Sequence, residues 1–213
     1  MKILLAVLYY ASILSAWVAV ATGLRVRGFL WYYVLVSGIC DLIPVTKPFP
    51  ENPHWYGNIF FAAQFVLVCG YFIQQLLPPR QQRGAAAVVF AITAFFLFFV
   101  SKSGFWKVHY QAGAVLYGLL ILPTLGGFYS IIRREELLRL ERSPFFLFCA
   151  AFLLYVAGSC LILLFAPRFR TENYRFLVLI WGAVHNTLNI LKNLAIARAL
   201  YLYRLPEKTD DRY

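Results

Sequence analysis

Apolar runs of roughly twenty residues follow one another along almost the whole chain, separated by short stretches of Pro, Gly, Arg and Lys. A hydrocarbon core about 30 Å thick takes roughly twenty helical residues to cross, so each run is read as a transmembrane helix. Seven fit: Ile3 to Gly23, Gly28 to Val45, Asn58 to Leu77, Gly84 to Ser101, Ala112 to Ile132, Pro144 to Phe165 and Leu177 to Tyr203. The fourth is short and bounded by Lys102 and Lys107, and six helices is the fallback count. Pro123 and Gly126-Gly127 mark a place where the fifth can kink. The expected fold is an all-α, polytopic transmembrane bundle in one domain, residues 1–213, because no stretch is left for a separate soluble domain.

The first run ends in Ala19-Val20-Ala21, which meets the small-x-small rule of signal peptidase, so a cleaved leader competes with a retained helix. The run is longer than a usual signal core and carries Tyr9, Tyr10 and Trp17, which favours the helix.

Composition agrees with a bilayer. Of the 213 residues 62% are hydrophobic and 14% charged, with a mean hydropathy of +0.69, far more apolar than a soluble domain of this size needs. A net charge of +11 would suggest nucleic acid in a soluble protein, but here the basic residues are spread over the loops. Orientation and anionic lipid headgroups account for them, and no nucleic-acid partner is expected.

Alternate loops differ in charge. One side carries Arg25, Arg27, Arg80, Arg83, Arg133, Arg134, Arg139, Arg142, Arg204, Lys208 and Arg212; the other carries Lys2, Lys47, Lys102, Lys107, Arg168, Arg170 and Arg175. The positive-inside rule makes the first side cytoplasmic, which puts the amino terminus outside and the carboxyl terminus in the cytoplasm. Trp55-Tyr56 and Phe105-Trp106, on the other side, suit an interfacial aromatic belt. The cytoplasmic connection Arg133 to Arg142 alternates charges three and four apart, so it reads as a solvated extension of the fifth helix or as a docking surface for a cytoplasmic partner.

The chemistry lies in the polar groups inside these runs. A charge in the membrane interior costs at least about 2.5 kcal/mol, so Asp41 in the second helix and Lys192 in the seventh require partners. In the seventh helix His185, Asn186, Asn189, Lys192 and Asn193 recur at helical spacing and form one stripe, which must face protein or water. At 1.5 Å per residue, Asp41, Gln64, Ser159 and His185 all lie roughly 20 Å from the cytoplasmic ends of their spans, which allows one cluster. The expected pairs are Asp41 with His185, and Lys192 with Asn189, Asn193 or backbone carbonyls. Two readings stay open: interhelical glue at about 1 kcal/mol per hydrogen bond, or a ligand pocket or proton-linked site built on an acid and an imidazole.

Other chemistries fit less well. Lys192 in the last of seven helices invites a retinal Schiff base, but the third helix offers Gln64 where an acid is needed, and Asp41 is poorly placed in depth, so no cofactor is expected. His54 and His109, with Glu51 or Glu172, lack metal-ligand spacing. The four cysteines Cys40, Cys69, Cys149 and Cys160 lie inside apolar runs and read as small core residues. No catalytic elbow, phosphate loop or carboxylate pair occurs, so an enzyme is not expected.

Three segments together carry a resemblance: N-I-F-F-A-A-Q-F from Asn58, L-Y-V-A-G-S from Leu154, and W-G-A-V-H-N-T-L-N-I-L-K-N-L-A-I-A from Trp181. They resemble a family of short bacterial seven-helix integral membrane proteins, sometimes encoded beside sensor kinases. The resemblance implies an acidic residue at Asp41, Glu at the position of Gln64 and Asn at that of Ser159; here the last two are a neutral and a smaller group. The expected protein is thus a multi-pass component of the bacterial inner membrane. It is read as a sensor or receptor-like module that binds a small or lipidic ligand between its helices and signals to a cytoplasmic or membrane partner. A proton-coupled transporter using Asp41 and His185, or a structural subunit of a membrane complex, are the alternatives.

Overall fold

Pro, Gly and Asn at the ends of the apolar runs start and stop seven helices in the computed structural model, which describes residues 1–24, 28–46, 55–104, 108–133, 140 and 142–204. They are α1 Lys2–Gly23, α2 Phe29–Thr46, α3 Trp55–Leu76, α4 Pro79–Gly104, α5 Tyr110–Arg133 and α6 Pro144–Glu172, followed by α7 over residues 174–202. Helix α7 is one rod in three parts: α turns Tyr174–Leu179, a π-helical segment Ile180–His185, and α turns Asn186–Leu202. There is no strand among the described residues. Five of the helices, α1, α3, α4, α5 and α6, are long and apolar enough to cross a membrane; in α2 the apolar part is the shorter Phe29–Ile43.

Most departures from the expected boundaries come from prolines. Helix α4 starts at Pro79 rather than Gly84, because a proline at the first helical position gives up an N–H that has no partner there anyway. The Gln82 amide donates back to the Leu77 carbonyl at 2.9 Å and closes that turn. The helix stops at Gly104, whose φ of +107° a side chain would oppose. Helix α6 begins on Pro144, capped by the Ser143 hydroxyl, which accepts from the Phe146 N–H at 3.3 Å. It then runs through Pro167 to Glu172 instead of ending at Phe165, and an exposed Arg168–Glu172 ion pair at 3.0 Å laces its last turn. Asn173 breaks the chain at φ −153°, and its side chain caps α7 by accepting from the Phe176 N–H at 3.1 Å. Helix α5 remains helical through Pro123. Its expected extension toward Arg142 lies mostly outside the described residues.

Helix α1 packs on α7 and α2, α6 on α5 and α7, and α3 on α2, α4 and α5, while α4 rests chiefly on α3. The core of the bundle is aromatic: Phe148 and Phe152 stack with centroids 5.2 Å apart, and the Tyr71 ring meets Phe148 edge-on at 4.7 Å. Gly127 lets α5 approach α6 closely, since a Cβ there would stand 2.7 Å from Cys149 Sγ.

Polarity is distributed as a bilayer requires. Phe90, Phe95, Phe98, Leu122, Leu161 and Val88 point outward and exposed, whereas Gln64, Thr124, Ser159, Lys192 and Asn193 are fully or almost fully buried. Apolar surface costs nothing against lipid, and polar groups must find partners inside.

Candidate functional site

The polar stripe of α7 faces protein along its whole length. Asn186, Asn189, Lys192 and Asn193 are buried, and His185 is half-buried. Two of its members fasten α1 to α7. The Asn189 amide donates to Ser12 Oγ at 2.7 Å, and the Asn193 amide donates to Ser15 Oγ at 3.1 Å. The contacts advance in the same direction on both helices, as they must where α1 and α7 run parallel.

Asn189 also reaches a third helix. Its Nδ2 donates to Asp41 Oδ2 at 3.2 Å, so a neutral amide rather than an imidazole holds the carboxylate. Tyr9 secures the same turn of α2, its hydroxyl donating to the Asp41 backbone carbonyl at 3.2 Å. His185 lies elsewhere: its Nδ1 is 3.2 Å from Ser159 Oγ, its ring stacks on Trp181 at 4.5 Å, and Tyr155 flanks it at 5.6 Å. The expected Asp41–His185 pair is therefore corrected. Asn189, one turn deeper than His185, is the stripe residue that meets α2 at the depth of Asp41.

Lys192 is corrected as well. Its side chain is fully buried, and Nζ lies over the Tyr155 ring at 4.2 Å and the Tyr33 ring at 4.9 Å. No described residue accepts a hydrogen bond from it. The reason is that the amides of Asn189 and Asn193 are turned toward α1 and α2, leaving Lys192 between two electron-rich ring faces, where a cation is attracted by the ring quadrupole. It also lies close enough to Asp41 for the two charges to interact.

Gln64 is held by tyrosines. Tyr117 donates its hydroxyl to Gln64 Oε1 at 2.9 Å and meets the Tyr155 hydroxyl at 3.2 Å. A chain of contacts thus runs from Gln64 through Tyr117 and Tyr155 to Lys192 on one side and His185 on the other. Asp41 stands apart from it, held by Asn189. The four residues expected at one depth are in one region, but they form two neighbouring groups.

Between these groups lies a cavity of about 510 Å³, walled by every helix except α4. Asp41, His185, Asn186, Asn189 and Ser12 line its deep side, and the lining extends past Trp181 and Tyr110 to the exposed Arg170 and Tyr174, at the end of the bundle where α1 begins. Gln64, Ser159, Lys192 and Asn193 stand behind its walls. The π-helical segment forms part of the wall: the extra residue it accommodates sits in the turn that carries Trp181 and His185, a distortion frequent at functional sites. A second groove, of about 710 Å³, runs between α4, α5 and α6 over Phe95, Phe99 and Leu119. It is mainly apolar, with His109, Gln111 and Arg170 at one end, and hydrocarbon fills such a groove without selecting anything.

Among the described residues, no three His, Cys, Asp or Glu side chains converge as metal ligands. The His109 ring contacts the Gly104 carbonyl at 3.0 Å; His54 and Glu51 lie outside the described residues. All four cysteines are free thiols.

Several participants escaped the sequence reading. Ser12 and Ser15 carried a signal, two hydroxyls three apart on one face of an apolar helix, as Asn189 and Asn193, four apart, are on one face of α7. Tyr9, Tyr33, Tyr117 and Tyr155 carried none, because tyrosines in membrane helices are equally at home in the interfacial belt. No protein-family model matches the chain, and neither a curated protein nor a solved structure matches it.

Proposed function

We propose that this chain is a seven-helix receptor-like module of the bacterial inner membrane that binds a small or lipidic ligand between its helices and passes the change to a cytoplasmic partner. The supporting observation is the cavity itself, about 510 Å³ in the middle of the bundle, with Asp41, His185 and Asn189 on its deep side. That volume is in the range of ligand pockets, and an apolar wall with a few convergent polar groups is their usual construction. Helix glue alone would close such a space, since packed interiors leave few voids larger than a water molecule. With the amino terminus outside, the Arg170 end of the cavity faces the exterior. Helix α7 carries the stripe from the cavity wall inward, and its carboxyl end lies on the cytoplasmic side, where a partner of the sensor-kinase class is the one the sequence resemblance suggests.

The test is thermal unfolding of the purified protein against lipid extracts and small metabolites, in the wild type and in Asp41→Asn and His185→Ala. A ligand that binds only the folded state raises the midpoint with concentration. The reading requires a ligand whose effect vanishes in both variants while both still fold. Proton-driven uptake into proteoliposomes, abolished by the same changes, would replace it with a transporter; lower stability with neither ligand effect nor flux would leave only packing. Reporter fusions after Tyr213 and near Asn52 test the orientation, the first expected to be cytoplasmic and the second external.

A further inference from the structure

The charge pattern of the cavity selects among ligands. Asp41 is the sole carboxylate lining it among the described residues, and it lies at the deep side. Its Oδ2 takes one hydrogen bond, from an amide that adds no charge. The walls above it are aromatic, from α1, α3, α5 and α7: Tyr9, Tyr56, Tyr110 and Trp181. The Tyr110 and Trp181 rings meet edge to face at 6.4 Å and make a continuous wall, and the Tyr9 hydroxyl donates to the Asp41 backbone carbonyl at 3.2 Å, which holds that ring beside the carboxylate. Aromatic faces carry partial negative charge and hold cations, the more so where water is excluded. Among the described residues the one fixed cation lining the cavity is Arg170, exposed at the end where α1 begins.

We infer that the cavity takes a small organic cation, its ammonium group meeting Asp41 and its body lying against the rings of Tyr9, Tyr56, Tyr110 and Trp181. This rests on the ligand-binding reading given above and narrows it to one class. An anion would have to bring its charge to the Asp41 carboxylate, with Arg170 left behind at the entrance. A purely apolar ligand would cover the Asp41 carboxylate and leave it the Asn189 amide as donor, and a charge buried on so few hydrogen bonds is costly. Lys192 does not bar the cation: it is absent from the lining and lies between Tyr33 and Tyr155, behind the wall. Asp41 thus faces the cavity while its Asn189 donor sits one turn from Lys192 on α7, so an arriving cation meets a carboxylate already tied to that helix. That gives binding a direct route into the helix that runs to the cytoplasmic side.

Three probes of the same shape and different charge decide the matter on wild-type protein in nanodiscs: 2-phenylethylammonium, 2-phenylethanol and 3-phenylpropionate. Binding is read by calorimetry and by the unfolding midpoint. The ammonium should bind, and the alcohol and the carboxylate should bind at least roughly tenfold more weakly, as expected for loss of a hydrogen bond to a charged group. Asp41→Asn should weaken the ammonium by a similar factor, and Tyr9→Leu, which spares the carboxylate, by a few-fold, about what one cation–π contact contributes. If Asp41→Asn fails to fold, the probe series and Tyr9→Leu still decide. Equal or tighter binding of the alcohol or the carboxylate would overturn the cation assignment while leaving a ligand pocket in place. No binding by any probe would also overturn it, and the lipid and metabolite screen would then decide separately whether the cavity binds anything.

Discussion

The Lys192 ammonium lies 4.2 Å from the centre of the Tyr155 ring, with the Tyr33 ring 4.9 Å away on α2. Both tyrosines are almost completely buried, so the ammonium exchanges hydration for ring faces. Desolvated cation–π contacts contribute about 2 kcal/mol, against about half that for an exposed pair.

Tyr155 therefore does two separable things, and its variants should separate them. Tyr155→Phe keeps the ring beneath Lys192 and loses only the hydroxyl that meets Tyr117 at 3.2 Å; the expected cost is about 1 kcal/mol. Tyr155→Leu removes the ring as well and should cost about 3 kcal/mol, combining the lost cation contact with a cavity. Unfolding in detergent, followed by helical circular dichroism, measures both. Equal losses would mean that the ring face does not support the lysine.

The electrostatic partnership of Asp41 and Lys192 predicts a double-mutant cycle. Asp41→Asn keeps shape and the contact with Asn189 but leaves Lys192 without a counter-charge in a fully buried position. It should be the more damaging single change, at about 3 kcal/mol. Lys192→Met keeps most of the volume, and the Asp41 it leaves behind lines the cavity and retains its amide donor, so about half that loss is expected. The double variant should be more stable than the sum of the two predicts, by about 1 to 3 kcal/mol. Strict additivity would show that the two charges do not act on each other.

The sequence made the helices and the α7 stripe legible because both rest on periodicity: a long apolar run needs a bilayer, and polar residues three and four apart share a face. It also marked Asp41 and Lys192, since charges in such runs are costly. What it could not supply was partnership. Depth counting set Asp41 level with His185, yet at 1.5 Å per residue from Tyr203 His185 stands about 27 Å up and Asn189 about 21 Å, so the amide level with Asp41 is the one that takes it. The partners of Lys192 were hidden because Tyr33 and Tyr155 have no signature distinguishing a cation cage from an aromatic belt. Nor was the π-helical segment readable: Ile180–His185 is apolar, aromatic and small in composition, like the α turns around it. The overrun of α6 beyond Phe165 escaped because Pro167 reads as a stop, although the helix passes through it and closes on the Arg168–Glu172 pair.

Close packing between α5 and α6 gives a stability prediction independent of the cavity. A Cβ at Gly127 would stand 2.7 Å from Cys149 Sγ and 3.1 Å from a Phe72 ring atom, both in the tightly packed core. Gly127→Ala should therefore destabilise by about 1 to 3 kcal/mol, as overpacking does. Gly118, on the same helix, has nothing within 4 Å of its Cβ position. Gly118→Ala should be neutral or stabilise by up to about 1 kcal/mol, the helix-propensity difference between the two residues. If the two substitutions behaved alike, the close approach of α5 to α6 at Gly127 would be wrong.

Cys40 offers a test of where the cavity opens. It is half-buried and lines the cavity next to Asp41, whereas Cys69 and Cys149 are 7% and 0% exposed and lie in the core. On the proposed orientation, with the amino terminus outside, the Arg170 end of the cavity is reached from the exterior, so a charged, membrane-impermeant thiol reagent applied to intact cells should modify Cys40. Modification should be slow compared with a surface thiol, because the residue sits deep beside Asp41. It should disappear in Cys40→Ser, leaving Cys69 and Cys149 unmodified until the protein is denatured, as mass spectrometry of the peptides would show. An excess of 2-phenylethylammonium should slow it, because a cation meeting Asp41 occupies the space in front of Cys40. Modification that required permeabilised cells would reverse the orientation derived from the arginine-rich loops. Modification that the ammonium left unchanged would separate access to the cavity from cation binding and count against the latter.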